Sequence, residues 1–308
     1  MTNKIVAIQG NHPSKLNPKT DTSVFLAHEI QNKNYKIFYY DPKELSVINS
    51  EVIASGFFIK FDYKDKNFFK ILKKQKLALT KCKFILIRQD PPFNLEYISA
   101  TYILDTIKDK VKILNNPTSI RNISEKLYSV RYQKFMPSTI FTQNISEIKN
   151  FFKTHKKVII KPIHSYGGND IHLLNRFNSK FINQFIKKHD HIMCQKFLPK
   201  ISKGDKRVFL INGQVCGAIS RVPKQGSFLS NMSKGAKPIS IELTNIEKKV
   251  SKLIAKDLKQ ENIFFAGIDF IDQKLNGDIN VTSPTGLKTL YDLSGINLAK
   301  TFWNELKA

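Results

Sequence analysis

Up to residue 121 the chain alternates short apolar runs with stretches of helical spacing, and at Asn115-Asn116-Pro117-Thr118 that alternation stops. This break constrains the fold more than any other feature. Lys4–Gln9, Tyr35–Tyr40, Phe84–Arg88 and Lys112–Leu114 are β-prone, while Ser23–Gln31 and Leu95–Ile107 carry apolar residues at helical spacing. The βαβ rhythm predicts an α/β unit on a small, open, mostly parallel sheet with helices on both faces. Pro117 keeps its predecessor out of the helical region and asparagines favour turns, so the unit ends there. Beyond it the strand candidates Val158–Lys161, Asp170–Leu174, Ile192–Phe197, Asp205–Ile211, Gln214–Val222 and Phe264–Phe270 lie close enough for antiparallel meanders. Asn212-Gly213 between two of them is a hairpin signal. Helical segments at Ile145–His155, Lys180–Lys188, Thr244–Lys259 and Leu290–Glu305 make this second part α+β. Two domains are expected, 1–121 and 122–308.

Chemistry concentrates in the second part. Asp269-Phe270-Ile271 and Gly277-Asp278-Ile279-Asn280-Val281-Thr282 set two carboxylates and an amide among β-formers. If 277–282 is a strand, Asp278 and Asn280 share one face while Ile279 and Val281 enter the core. Asp269 joins them from a neighbouring strand, across a connection around Asp272 to Gly277. Magnesium takes a few hard oxygen ligands and fills its remaining positions with water and nucleotide phosphate, which suits these three groups. A surface hairpin with solvated polar residues fits them equally well. Lys161 closes a β-prone run ahead of a loop containing Gly167-Gly168, whose backbone can approach phosphate oxygens. Lys126 is a second candidate cation. Gln195-Lys196-Phe197-Leu198 offers apolar side chains and strand-edge backbone groups of the kind that hold adenine. Asp205, Arg207 and Arg221 place charge on two adjacent strands, and residues 230–237, which include Asn231, form a small-residue loop able to close over a site.

Composition sets the outer limits. No apolar stretch approaches a membrane span, and Met1-Thr2-Asn3-Lys4-Ile5-Val6-Ala7-Ile8 runs into strand-like alternation without an export-signal apolar region, so a cytoplasmic enzyme is expected. Cys82, Cys194 and Cys216 are odd in number and widely spaced, which fits reduced, buried thiols. The net charge of +25 comes from lysines scattered through nearly every segment, not from a basic arm, so a solvated surface is preferred over nucleic-acid binding.

Taken in order, the lysine, the strand-end lysine with its Gly-Gly loop, the apolar hinge, Asp205-Lys206-Arg207, Arg221, the small-residue loop and Asp269 … Asp278-x-Asn280 resemble the ATP-grasp ligases. In detail the chain is similar to the bacterial type of glutathione synthetase, nearly end to end. The likeness runs through Ile87-Arg88-Gln89-Asp90-Pro91-Pro92-Phe93, Glu125-Lys126-Leu127, Gly204-Asp205-Lys206-Arg207-Val208 and Ile279-Asn280-Val281-Thr282-Ser283-Pro284-Thr285. The resemblance implies an N-terminal α/β domain followed by two α+β lobes clamping ATP, with ATP, γ-glutamylcysteine and glycine as small-molecule substrates. By the same resemblance Lys126 and Lys161 meet phosphates or the adenine side, Gln195 to Leu198 form the adenine pocket, and Asp205 approaches ribose. Arg207 and Arg221 are the catalytic pair, and Asp269, Asp278 and Asn280 hold two magnesium ions, with manganese as the alternative metal. Arg88, Asn231 and Lys288 lie toward the peptide substrate, and self-association is implied.

The chain departs from that pattern at three places. The family usually carries glutamate at Asp278, and arginines at Leu229 and Lys288. Lysine keeps the charge but not the two-pronged grip of a guanidinium, and leucine keeps neither. A related ligase with other acceptors is the alternative reading.

Overall fold

The computed structural model describes residues 4–308; Met1, Thr2 and Asn3, the start of the run read as lacking an export signal, lie outside it. The first sheet holds β1 (Ile5–Gln9), β2 (Lys36–Tyr40), β3 (Leu45–Ile48), β4 (Glu51–Phe61), β5 (Phe69–Ala78), β6 (Phe84–Ile87) and β7 (Lys112–Leu114). Strands β2, β1, β6 and β7 pair in parallel, as the alternating rhythm predicts. The sheet is larger than expected, however, because β3, β4 and β5 add an antiparallel extension beside β2. Its outermost strand, β5, presents Lys70, Lys73, Lys74 and Lys76 to solvent. Lysines on an edge strand discourage pairing with another chain, and they also mask the strand in the sequence.

Side chains on the parallel strands alternate, so Val6 and Ile8 pack on one face and Ala7 on the other. Helix α1 (Thr22–Gln31) covers the first face. Helices α2 (Leu95–Asp105) and α3 (Pro117–Asn122) cover the second. Asn116 caps α3 by accepting from the Ser119 amide, so the turn signal at 115–118 ends the strand and starts this helix.

A second sheet, in the order β10 (His172–Leu174), β9 (Val158–Pro162), β11 (Ile192–Lys196), β8 (Thr139–Thr142), is antiparallel throughout. Helices α4 (Ile145–His155) and α5 (Ser179–His189) bury one of its faces. The third sheet runs β14 (Lys237–Ser240), β13 (Gln214–Val222), β12 (Asp205–Ile211), β15 (Phe265–Ile271), β16 (Lys274–Asn280). Asn212 and Gly213 both take positive φ in the two-residue turn joining β12 to β13, the geometry such hairpins require. The strand expected over 277–282 starts earlier, at Lys274, because the connection from β15 is only Asp272-Gln273, again with both φ positive.

Helix α6 (Asn245–Gln260), opened by a Thr244–Glu247 capping box, packs against one face of this sheet. The other face is divided along its strands. Phe209, Ile211, Ile219 and Phe265 lie under α7 (Leu287–Ser294) and α8 (Leu298–Glu305) and join the core of the first sheet, whereas Asp205, Arg207, Arg221 and Asp269 continue the same face into a cleft. The single helix expected over Leu290–Glu305 breaks at Gly295, which ends α7 in the left-handed region. Among the described residues no helix is long and apolar enough to cross a membrane.

Candidate active site

A cavity of about 760 Å³ lies between the second and third sheets and reaches the segments that follow β1 (Lys15 to Asp21) and β6 (Asp90 and Pro91). On β9, Val158 and Ile160 enter the core beneath α4 and α5, so period two turns Ile159 and Lys161 the other way, into the cavity. On β11 the same rule buries Ile192 and Cys194 and leaves Gln195 at the cavity, where its Nε2 donates to Thr139 Oγ1 over 3.0 Å. Lys196, Phe197 and Leu198 continue the lining as the strand ends.

The facing wall is organised by register. Asp205 and Arg207 share a face of β12, and pairing sets Arg221 of β13 opposite Asp205 and Asp269 of β15 opposite Arg207. Each becomes a two-pronged bond: Arg207 donates Nε and Nη2 to Asp269 at 2.8 and 2.7 Å, and Arg221 donates both nitrogens to Asp205. Arg221 also reaches Asp269 at 3.0 Å. All four side chains are buried. Burial raises the pKa of Asp269, but Arg207 and Arg221 outweigh it and hold the carboxyl well below the usual carboxylate range. Burial also raises Asp205 against the pull of Arg221, yet two guanidinium donors require the carboxylate form there. Asp205, read as approaching ribose, lines the cavity with both oxygens accepting from Arg221.

Asp278 stands between two ammonium groups. Lys161 Nζ lies 3.4 Å from Oδ2 and Lys126 Nζ 3.5 Å from Oδ1. Here too burial raises the pKa and the two lysines more than reverse it. Alternation on β16 buries Leu275 and Ile279 and sets Asn276, Asp278 and Asn280 on the cavity side. Asn280 donates its amide to Gly267 O over 3.0 Å, which fixes the side chain and leaves its carbonyl oxygen as a free acceptor. Asp269, Asp278 and Asn280 thus supply hard oxygens of the kind a magnesium ion takes. Among the described residues there is no group of three or more His, Cys, Asp and Glu that could hold a metal.

The Gly-Gly loop and the small-residue loop meet over the cavity. Lys234 Nζ donates to Asn169 Oδ1 at 2.8 Å, and Asn231 lies against Gly168. Gly168 has φ +76, and a Cβ there would fall 2.4 Å from Asn231 Oδ1, so glycine is required both by conformation and by the approach of the second loop.

Two of the residues read as substrate-binding do not line the cavity. Lys288 turns to Asp292, with its ammonium 4.8 Å from the centre of the Tyr63 ring, and Arg88 is buried with Nε on Ser23 Oγ at 3.1 Å. Leu229, at one of the positions that depart from the family, does line it. Other contributors went unread in the sequence. Glu125 Oε1 accepts from the Val281 and Thr282 amides at 2.8 and 3.0 Å, tying the Lys126 segment to the end of β16. Asn276 accepts from Lys161 at 3.1 Å. Their roles depend on contacts 115 or more residues apart, for which a local pattern gives no signal.

Comparison with known proteins identifies the family. Residues 5–121 match the prokaryotic glutathione synthetase N-terminal domain, and residues 125–295 match the prokaryotic glutathione synthetase ATP-grasp domain. The glutathione synthetase of Bradyrhizobium diazoefficiens is 33% identical over 306 residues, covering 98% of this chain and 97% of that protein. Among solved structures, the ATP-grasp ligase PsnB in complex with a precursor variant, Mg and ADP superposes with a TM-score of 0.64 at 14% identity, covering 100% of this chain and 98% of that one. D-alanyl-alanine synthetase A of Vibrio cholerae gives 0.61 at 14% over the full length of both. The structural likenesses establish the ATP-grasp fold, and the two family matches with the full-length relative establish the rest: the chain belongs to the prokaryotic glutathione synthetases, which are ATP-dependent carbon–nitrogen ligases.

Proposed function

We propose that this cleft makes glutathione. ATP phosphorylates the cysteinyl carboxylate of γ-glutamylcysteine, and the glycine amine displaces phosphate from the acyl phosphate to form the amide, releasing ADP and phosphate. The supporting observation is the charge arrangement: Lys126 and Lys161 meet Asp278 while Arg207 and Arg221 meet Asp269, all around one cavity. Phosphoryl transfer to a carboxylate asks for positioning and charge neutralisation, with no enzyme nucleophile.

In this reading Lys126, Lys161 and the Gly167-Gly168 backbone bind phosphates, and Gln195, Lys196, Phe197 and Leu198 receive adenine. Arg207 and Arg221 stabilise the transferring phosphoryl group, with Asp205 orienting Arg221. Asn231 closes with its loop, and Arg88 acts from behind the cavity wall. Asp269, Asp278 and Asn280 would hold magnesium or manganese, which when bound neutralises phosphate oxygens. We assign residues 1–121 to the N-terminal domain and 122–308 to the ATP-grasp domain. A cytoplasmic location and self-association rest on the family alone.

The test is mass spectrometry of the product from magnesium-ATP, γ-glutamylcysteine and glycine, with ADP counted in parallel and each acceptor omitted in turn. Glutathione formed one-for-one with ADP is expected. ADP release without the tripeptide would move the assignment to a ligase with other acceptors, the reading that Leu229 and the displaced Lys288 favour.

A further inference from the structure

A second cavity, of about 470 Å³, opens at the other end of the N-terminal sheet. The cleft is reached by the segment that follows β6, whereas this cavity is lined by residues that precede and begin β6 and β7, so the parallel strands separate the two. Strand alternation decides what its walls carry. Phe84 of β6 and Leu114 of β7 face the core shared with α8, and Lys112 lies two residues before Leu114 and pairs with Phe84, so it falls on that same face. Lys83 enters from the approach to β6, Lys110 from the approach to β7, and Lys307 from the turn after α8.

Four ammonium groups therefore converge on one concavity from three separate segments. Among the described residues none of them has a carboxylate within ion-pair distance. Glu305 is the sole carboxylate in the lining and accepts from Asn212 Nδ2 at 2.7 Å, while Asp109, next to Lys110 in sequence, lies outside the lining. Four cations thus answer to one anion. Lysine on the edge strand β7 has a reason of its own, since it discourages pairing with another chain, but Lys83, Lys110 and Lys307 stand on no sheet edge. The floor between them is apolar, with Val111, Phe264 and Phe84, whose ring lies 5.8 Å from that of Trp303. Low-dielectric walls focus the field of like charges gathered above them, and the volume is that of a small-molecule site.

We propose that this cavity is a second ligand site, distinct from the cleft, which takes a small molecule bearing a phosphate chain. A chain of phosphoryl groups carries several negative charges at a spacing that separate lysines can share, and Lys83 with Lys112, on neighbouring strands, forms the centre of the site. An inorganic polyphosphate and a nucleoside polyphosphate offer the same chain; only the second offers a ring to the apolar floor.

The experiment is calorimetric titration of the full chain with tripolyphosphate and, separately, with cytidine triphosphate, in EDTA and near-physiological salt, where the diffuse field of a +25 chain is largely screened. It is repeated with Lys83→Gln/Lys112→Gln and with Lys73→Gln/Lys74→Gln, a pair on the exposed strand β5 that removes the same charge far from the cavity. Binding at the second site is expected to weaken by roughly 10-fold in the first variant, the scale of two partly screened charge pairs, and to stay unchanged in the second. Trp303, the one tryptophan of the chain, packs on the floor residue Phe84, so its fluorescence should follow the same isotherm. Neither pair lines the cleft, so ligase turnover should be the same in all three proteins. Tighter binding of the nucleotide would identify a nucleoside polyphosphate as the ligand, and tighter binding of tripolyphosphate an inorganic one. Equal weakening in both variants, or none in Lys83→Gln/Lys112→Gln, would overturn the site and reduce the cluster to part of the general surface charge.

Discussion

At the scale of single residues, the site depends on charges that are buried only because they are paired. Asp269 is 3% exposed and shared by two guanidinium groups, so its replacement acts on folding as well as on chemistry. Asp269→Asn leaves Arg207 and Arg221 with Asp205 as their nearest full counter-charge. Breaking a buried pair from one side costs about 3–5 kcal/mol. We expect Asp269→Asn to lose turnover and to unfold at clearly lower urea concentration, which equilibrium denaturation followed by circular dichroism will read; an unchanged midpoint would mean that solvent reaches the arginines. A metal-site reading from sequence alone predicts lost activity with little effect on folding. It sees the carboxylate and not its two partners, because strand register is what makes Arg207 and Arg221 its neighbours. Of the three thiols read as buried, Cys82 and Cys194 are, and burial pushes both up to about 12, so neither serves as a nucleophile at neutral pH, whereas Cys216 is half-buried.

At the scale of elements, one clamp offers a clean pH test. Asp105 ends α2, where it accepts from Thr118 Oγ1 at 2.7 Å and from Arg121 Nη2 at 2.8 Å on α3, with Lys108 at 3.1 Å. Burial is the largest single influence and raises its pKa, but these donors together lower it by more, so the folded carboxyl titrates below its unfolded value. A depressed carboxyl contributes stability that is present above the unfolded pKa and lost as pH falls through the folded one. Asp105→Asn should therefore cost about 0.5–1 kcal/mol at neutral pH, the range of a partly exposed pair. That difference should shrink as pH falls below the ordinary carboxylate range, as measured by urea unfolding of both proteins across pH. Helices were the most legible elements, since α4 and α6 carry their apolar stripe and their caps in sequence. Strands β3 to β5 were not. In β5, Lys70-Ile71-Leu72-Lys73-Lys74-Gln75-Lys76 reads as a solvated charge run because an edge strand keeps its polar residues for negative reasons, and only its partner β4 reveals it.

At the scale of the whole molecule, the cleft exists because the N-terminal unit and the third sheet share one core. Trp303 of α8 is fully buried and donates Nε1 to Leu26 O of α1 over 2.9 Å, and the amides of Gly286 and Leu287 reach Thr22 at 3.1 and 3.4 Å. Asn115 closes the other side. Its side chain accepts from the Phe264 and Phe265 amides at 2.9 and 2.8 Å and donates to Phe265 O and Val281 O, each at 2.7 Å. Asn115→Ala orphans these four buried groups, so a loss of about 2–5 kcal/mol is expected, in one cooperative transition. A separate early transition of the N-terminal unit, seen by calorimetry, would instead show that the shared core alone joins the two parts. The sequence by itself determined the parallel strands of the first sheet, the hairpin at Asn212-Gly213, the face of β16 that carries Asp278 and Asn280, and the family, because periodicity and motif order are local properties of the chain. Tertiary structure alone decided which arginine meets which aspartate and that Lys288 turns away from the cleft. Those outcomes depend on strand register and on how separate elements dock, with Arg207 and Asp269 already 62 residues apart, and such pairings leave no trace in a local pattern.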